Sequence, residues 1–530
     1  MGQARTLIQL FDKMKASRTN WDSHWDEVAR WIMPNMDFAF TQQSGSTTKG
    51  EERHNRTFDQ TAEHSAELLA SALMSFLVSP TQNFFELTTG DITIDKKPEN
   101  RDYLQKTVEV AHGIIRNTNF DAEIHSGLMS LVTFGTFILR MDDDPDEIIR
   151  YEARPPFTHW IWENEKRVVS TVAEKTKMPI RDAFAKYGME KFGSQAENLA
   201  KDLEQEIEII RIVLDRKSAK MRALDKFDKP FTSFHIWADK EIILKEVGHR
   251  TFPYAVPRWM KLAGETYGRS PGMKALPEAR YLNQVKRSTI RALQKAVDPP
   301  MLITDDSVLG RVNIRPGGLT SVRSNARDNP PIQPIPTNAR PDIGEGGMEQ
   351  SKEEIRKAFY VDQLQLTEKS RMTTTEVNLR DDDRLRLLSP LIGRMNTELL
   401  TPIVAKLLDR MQSEGKMPEN MPSDIANSGG LGVFFRSQIT RAQNLIEAQN
   451  VMQWLGAVGQ IAQVDPKAAM VVDTEETVRF LGERHGVMEK LMKTPQKVQE
   501  QEQAMQQQQQ QMEEAELAEK ASKTVSNVQK

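Results

Sequence analysis

The spacing of apolar residues changes along this chain, and that change limits the fold more than any single motif does. The stretch "TNWDSHWDEVARWIMP" puts Trp21, Trp25, Val28 and Ile32 on one helical face and stops at Pro34. A second helix is expected from Asp59, as N-cap, through Leu68, Leu69, Leu73, Phe76 and Leu77 to Ser79 and Pro80, after which "NFFELTTGD" turns extended. From about Phe134 to Val247 the period moves toward two. There "TFILRMD", "EIIRYEA", "THWIWEN", "RVVSTVAE", "EIEIIRIVLD", "FTSFHIWAD" and "EIILKEV" alternate or cluster β-branched and aromatic residues, interrupted by helices at Pro179 to Tyr187 and Gln195 to Leu203. The pattern predicts an α+β unit whose strands arrive mostly in hairpins.

Helical spacing returns from about Met273 to Val297 and stops at Pro299 and Pro300. Pro/Gly-rich extended chain follows, with a hairpin expected around Pro316, Gly317 and Gly318, then a shorter helix from Glu349 to Phe359. A run from Thr375 to about Glu414 would be roughly 60 Å long if wholly helical at about 1.5 Å per residue, with kinks expected at Pro390 and Pro402. Further helices are expected from Gln438 to Gln463 and from Thr474 to His485, the latter opened by Asp473 and Glu476 as a capping-box-like start. The Gln-rich end is low-complexity, with a thin apolar seam at Met505, Met512 and Leu517.

Five hundred and thirty residues exceed one ordinary hydrophobic core, so several packing units, or a protomer completed by neighbours, are expected. Lys plus Arg number 71 against 75 Asp plus Glu, a net charge of −4, so any contact with DNA must be local. The lack of cysteine excludes disulfides, Cys-bound zinc, iron–sulfur clusters and thiol catalysis. The most apolar helical run, Leu68 to Val78, is far short of the roughly 20 residues of a membrane span, so the chain should be soluble, with no membrane partner.

The apparent catalytic motifs dissolve on chemistry. "GRSPG", Gly268 to Gly272, matches a nucleophile elbow, yet Pro271 has no N–H to offer an oxyanion; a turn opening the next helix is the better reading. "DDDPDE", Asp142 to Glu147, lacks the glycine and geometry of a calcium loop and reads as a solvated turn. The nine histidines form no H-E-x-x-H, and no phosphate loop of the G-x-x-x-x-G-K-[ST] type occurs. No enzyme site, metal or cofactor is expected.

Two features remain. In "TEKSRMTTTEVNLR", Thr373 and Glu376 form a capping box that starts the long helix, leaving Lys369 and Arg371 just ahead of it. Arg280, Arg287, Arg291 and Lys295 fall at helical spacing on one face, with Leu282, Val285, Leu293 and Val297 on another. A solvated basic surface accounts for that face as well as a binding role does.

The order of elements, carried by "FDQTAEHSAELLASALMSFLVSPTQNFFEL", "PYAVPRWMKLAGETYGRSPGMKALPEARYLN", "MTTTEVNLR", "LLTPIVAKLLDRM" and "VDPKAAMVVDTEETVRFLGERHGV", resembles the portal, or head-to-tail connector, proteins of short-tailed bacteriophages. The resemblance runs from about residue 4 to 495. It implies a ring, typically of about twelve subunits, at one capsid vertex, through which double-stranded DNA is packaged and ejected. It implies a wing at 1–272, stem helices at 273–297 and 349–360, a clip at 298–348 and a tunnel loop at 361–372. A tunnel helix returning to the wing at 373–436, a crown at 437–494 and a tail at 495–530 complete the order. The partners implied are terminase, which carries the ATP-driven motor, a tail adaptor, the major capsid protein, a scaffolding protein and internal ejection proteins.

On that basis Lys369 and Arg371 are expected at the channel constriction, and the Arg280, Arg287, Arg291 and Lys295 stripe on the stem. A translocation channel must not hold DNA tightly, because each added phosphate contact raises affinity, so a mildly acidic protomer with a few cations suits it. Ring symmetry would turn one lysine per protomer into a belt. Two other classes compete: a non-ring DNA-binding or nuclease-like packaging factor, which needs a concentrated basic face or a carboxylate metal site, and a tail adaptor that never surrounds DNA.

Overall fold

The computed structural model describes residues 2–36, 57–78, 83–216, 228–303, 332–335, 341–364, 388–427, 430–435, 438–462, 465 and 471–484. The chain divides into two compact units, Met1–Phe435 and Arg436–Lys530. The first holds a mixed α+β body, as the change of period predicts.

Its first helix, α1 (Gly2–Ile32), is longer than the tryptophan-rich stretch alone indicates, because Ala4, Leu7, Phe11 and Met14 extend the buried stripe to Trp25, Val28 and Ile32. The next helix, α2 (Thr61–Leu77), starts one residue later than expected, with Gln60 in the N-cap position but making no side-chain cap; the Asp59 carboxylate accepts the Thr61 N–H at 2.9 Å. Strand β1 (Phe85–Thr88) follows, then α3 (Pro98–Arg116) and α4 (Phe120–Phe134), two helices beyond those the apolar spacing predicted.

All seven expected strand segments are present: β2 (Ile138–Asp144), β3 (Ile148–Arg154), β4 (His159–Glu163), β5 (Val169–Pro179), β6 (Glu206–Asp215), β7 (Phe231–Trp237) and β8 (Ile242–His249). Strands β4 to β8 form an antiparallel meander in chain order, and β2 pairs with β3 and with a two-residue strand β9 (Tyr254–Ala255). The alternation in β6 has a direct reading. Ile210 and Ile212 pack against Leu7, Phe11 and Met14 of α1, while Ile207 and Ile209 face the short helix α5 (Ile180–Tyr187) through Ile180 and Ala183. The meander is therefore covered on both faces. A polar seam joins the two sheets: Arg140 on β2 reaches Glu174 on β5 at 3.0 Å, and Arg211 on β6 reaches Asp142 on β2 at 3.2 Å.

Helix α6 (Pro271–Val297) leaves this body at Ser270, whose hydroxyl accepts the Met273 N–H at 2.9 Å and donates to the Thr133 carbonyl at 2.7 Å. "GRSPG" is thus a helix-opening turn. Strands β10 (Met301–Ile303) and β11 (Ile332–Pro334) pair antiparallel and bring the chain back into α7 (Pro341–Ala358). That helix starts at Pro341, about two turns before the expected Glu349. Residues 388–413 are helical, with Asn396–Leu400 in π-helical form ahead of α8 (Thr401–Ser413). The π turn lies where Pro402 has no N–H to give, and the Thr401 hydroxyl takes up the Asn396 carbonyl at 2.8 Å. Strand β12 (Gly432–Phe435) then pairs with β1.

The second unit contains α9 (Gln438–Ala462) and α10 (Thr474–Arg484). Asp473 accepts the Glu476 N–H at 3.0 Å, as the capping pattern predicts. Among the described residues no helix is long and apolar enough to cross a membrane.

Candidate DNA-channel surface

The α6–α7 hairpin is held to the body at its base. Asn283, buried in α6, accepts the N–H groups of Phe58 and Asp59 at 2.7 and 3.1 Å and donates to the Ala279 carbonyl at 2.8 Å. Lys286 adds an ion pair to Asp59 at 3.1 Å. Burial works to raise the Asp59 carboxyl, but the Thr61 hydrogen bonds and Lys286 outweigh it and hold its pKa below the ordinary value. This anchor fixes where the rest of α6 points.

Along α6 the expected basic stripe divides. Arg280 pairs with Glu27 of α1 at 2.8 Å, so it belongs to the base. Arg287, Arg291 and Lys295 are exposed, and among the described residues none has a hydrogen-bond or ion-pair partner. The expected packing face divides in the same way: Leu282 is buried, whereas Leu293 and Val297 are 46% and 85% exposed. The distal half of α6 is therefore open on its basic face and on its apolar flank. Lys369, Arg371, Thr373 and Glu376 lie outside the described residues.

Helix α7 lies antiparallel to α6 and approaches it through glycines. A Cβ at Gly344 would sit 2.9 Å from the Thr289 hydroxyl, and one at Gly347 would sit 3.2 Å from the Tyr281 hydroxyl. Its exposed residues include Glu345, Glu349 and Glu353 at helical spacing. Only Glu349 of these has ion pairs among the described residues, to Lys352 at 3.7 Å and Arg356 at 3.5 Å, both within α7.

Three buried charges bind this scaffold together, and no motif or spacing in the chain marks them. Arg18 of α1 donates to the carbonyls of Pro156, Phe157 and His159 at 3.1, 3.0 and 2.6 Å and lies 4.1 Å over the Trp160 ring. Arg258 bridges Glu398, in the π-helical turn, and Glu163. Lys406 of α8 reaches Asp143 of β2 at 2.7 Å. Among the described residues no group of acidic or histidine side chains is placed to hold a metal ion.

Against known proteins, residues 4–492 match the family described as bacteriophage head to tail connecting protein. A probable portal protein of Bordetella phage BPP-1 is 24% identical over 497 residues, covering 92% of this chain and 89% of its own. The portal protein of Salmonella phage epsilon15 is 24% identical over 503 residues, covering 93% and 89%. A chain in the virion of a native gene transfer agent particle aligns over 84% of this chain and 97% of its own, at 10% identity and a TM-score of 0.39, a likeness too distant to carry weight.

Proposed function

This chain belongs to the family of bacteriophage head to tail connecting proteins, and from that premise we propose that its copies close into a ring around a channel for double-stranded DNA. Membership makes it a structural part of the virion at the junction of head and tail, not an enzyme. The ring, the passage of DNA inward during packaging and outward during infection, and the docking of terminase and tail adaptor are our reading.

The observation that carries it is the extent of the match, residues 4–492, which takes in the helical hairpin and the long helix together with the α+β body. In this reading α6 and α7 are the stem, the chain between them is the clip, and the run ending in α8 is the tunnel helix. Of the second unit, residues 437–494 are the crown and 495–530 the tail. Lys369 and Arg371 supply the cations at the constriction, one belt per ring, gripping phosphates without reading bases. The stem cations have a different counter-charge available.

The test is the mass of the purified chain by light scattering, with negative-stain images of the same peak. A closed ring with a central hole, about twelve times the 60.4 kDa chain, is expected. Monomer or dimer at every concentration, with and without co-expressed scaffold and capsid protein, would overturn the reading.

A further inference from the structure

We propose that neighbouring stems in the ring are held by charge: the Arg287, Arg291 and Lys295 stripe of one protomer seats against Glu345, Glu349 and Glu353 of the next. The proposal rests on the ring reading above and adds the surface by which one copy recognises another.

The geometry comes from the helix pair itself. Thr289 and Val285 are the residues of α6 nearest Gly344, with Tyr281 near Gly347, so these positions mark the facing sides of the two helices. At about 100° per residue, Arg287 and Arg291 are turned about 120° to 160° from Val285 and Thr289 and Lys295 about 80° to 120°, and Glu345, Glu349 and Glu353 about 100° to 180° from Gly344. Each stripe therefore lies on the back of its own helix. The basic back belongs to α6 and the acidic back to α7, on opposite sides of the hairpin, so the two cannot neutralise each other within one chain.

The residues support this. All six side chains are exposed. The cations have no partner among the described residues, and the pairs that Glu349 makes are long, exposed and local, a kind that contributes little. Ile290, Leu293 and Val297, 36%, 46% and 85% exposed, flank the basic stripe and give a second copy apolar surface to cover. Both stripes repeat every four residues, so the backs of two helices laid side by side can pair along their length.

The arrangement also fixes the symmetry. With opposite charges on opposite sides of the hairpin, one partner can satisfy only one stripe, and a protomer needs two neighbours to satisfy both. That is a head-to-tail contact, which closes into a ring when the rotation per subunit divides a full turn. DNA is the competing counter-charge for the basic stripe, but it leaves the acidic back unanswered.

Reversal of charge separates these outcomes. The variant R287E/R291E/K295E, and separately E345K/E349K/E353K, should each lose the ring peak in light scattering at low salt while keeping the helical circular dichroism of the parent. The chain carrying all six reversals restores complementarity between copies, so its ring peak should return. The cysteine-free background allows a second test. R291C together with E349C should give, under mild oxidation, a reducible ladder of covalent multimers that neither single variant gives beyond dimer, since positions on opposite backs of one hairpin cannot bridge each other. Rings from both triple reversals, with no ladder from the double cysteine, would overturn the proposal. If the basic reversal also loses DNA retention while still forming rings, the stripe faces DNA. Should the parent chain itself form no ring, the ring reading fails and not the stripe alone.

Discussion

Arg258 and Glu398, 140 residues apart in the chain, meet through three hydrogen bonds: the Arg258 backbone N–H and Nε donate to Oε2 at 2.9 and 3.2 Å, and Nη2 donates to Oε1 at 2.6 Å. The arginine side chain is only 3% exposed and also engages Glu163 and the Thr266 carbonyl, at 3.2 Å for the latter. The pair thus ties the segment leading into α6 to the π-helical turn of the long helix. A buried guanidinium that loses one of two carboxylates keeps its desolvation cost and part of its charge unanswered. Glu398→Ala should therefore cost roughly 3 kcal/mol, read as a fall in the denaturant midpoint by tryptophan fluorescence. A loss under about 1 kcal/mol would mean that the pair behaves like a surface contact.

Two buried histidines should make this fold acid-sensitive. His112 uses both ring nitrogens as a neutral imidazole: Nδ1–H donates to the Val108 carbonyl at 2.9 Å and Nε2 accepts the Phe84 N–H at 3.2 Å. His235 contacts the Tyr187 hydroxyl at 3.0 Å. Burial lowers their pKa values from 6.5 to about 4 for His112 and about 3 for His235, with the positive charge of Arg211 adding to the effect at His235. The unfolded chain therefore takes up these protons first. The stability due to neutral imidazole is complete above pH 6.5 and is lost as pH falls toward 4. Each group should remove about 1.4 kcal/mol per pH unit across that window, and His235→Gln should flatten the slope of midpoint against pH. An unchanged slope in that variant would assign the acid sensitivity elsewhere.

What the sequence made legible follows from where period and burial coincide. The meander could be read because β6 alternates between two covered faces, putting Ile207 and Ile209 on one and Ile210 and Ile212 on the other. Helix α4 could not, because from Gly127 to Phe134 every residue is buried, and a helix covered all round has no apolar stripe. The start of α7 was hidden by Gly344, Gly346 and Gly347, poor helix formers by propensity; two of them let the helix come close to Thr289 and Tyr281. Family membership was legible in the order of elements. Arg18, Arg258 and Lys406 were not, since a buried cation differs from a surface one only in tertiary partners remote in sequence.

The crossing of α4 with the turn before α6 leaves no room for a side chain. Gly135 caps α4 at φ 81°, and a Cβ there would lie 2.2 Å from the Gly268 carbonyl oxygen; a Cβ at Gly268 would lie 2.3 Å from the Gly135 carbonyl oxygen. Both obstacles are backbone, so neither can rotate aside. Gly268→Ala should cost on the order of 3 kcal/mol, and Gly135→Ala more, because it adds a left-handed conformation to the clash. Because Ser270 caps α6 from the same turn, either change should also loosen the base of the hairpin, seen as faster amide exchange at Met273.

On the proposed reading the loop cations act on DNA and not on folding, so their prediction separates the two. Lys369 and Arg371 precede Thr373 and Glu376, the capping box expected from the sequence, and their removal leaves both of those residues in place. Lys369→Ala with Arg371→Ala should therefore leave ring mass unchanged and unfolding free energy within about 0.5 kcal/mol of the parent, the usual range for surface changes. If these residues meet phosphates, nuclease-protected DNA in a packaging reaction should fall several-fold. The deficit should shrink as salt rises, because counterion release from fewer contacts gives a shallower dependence. If Thr373 caps the long helix as its sequence position predicts, replacing it should lower stability by about 1 kcal/mol, with DNA retention per assembled ring unchanged. Equal retention in the parent and the double alanine at every salt concentration would take the loop out of the DNA path and leave it a connection between α7 and the long helix.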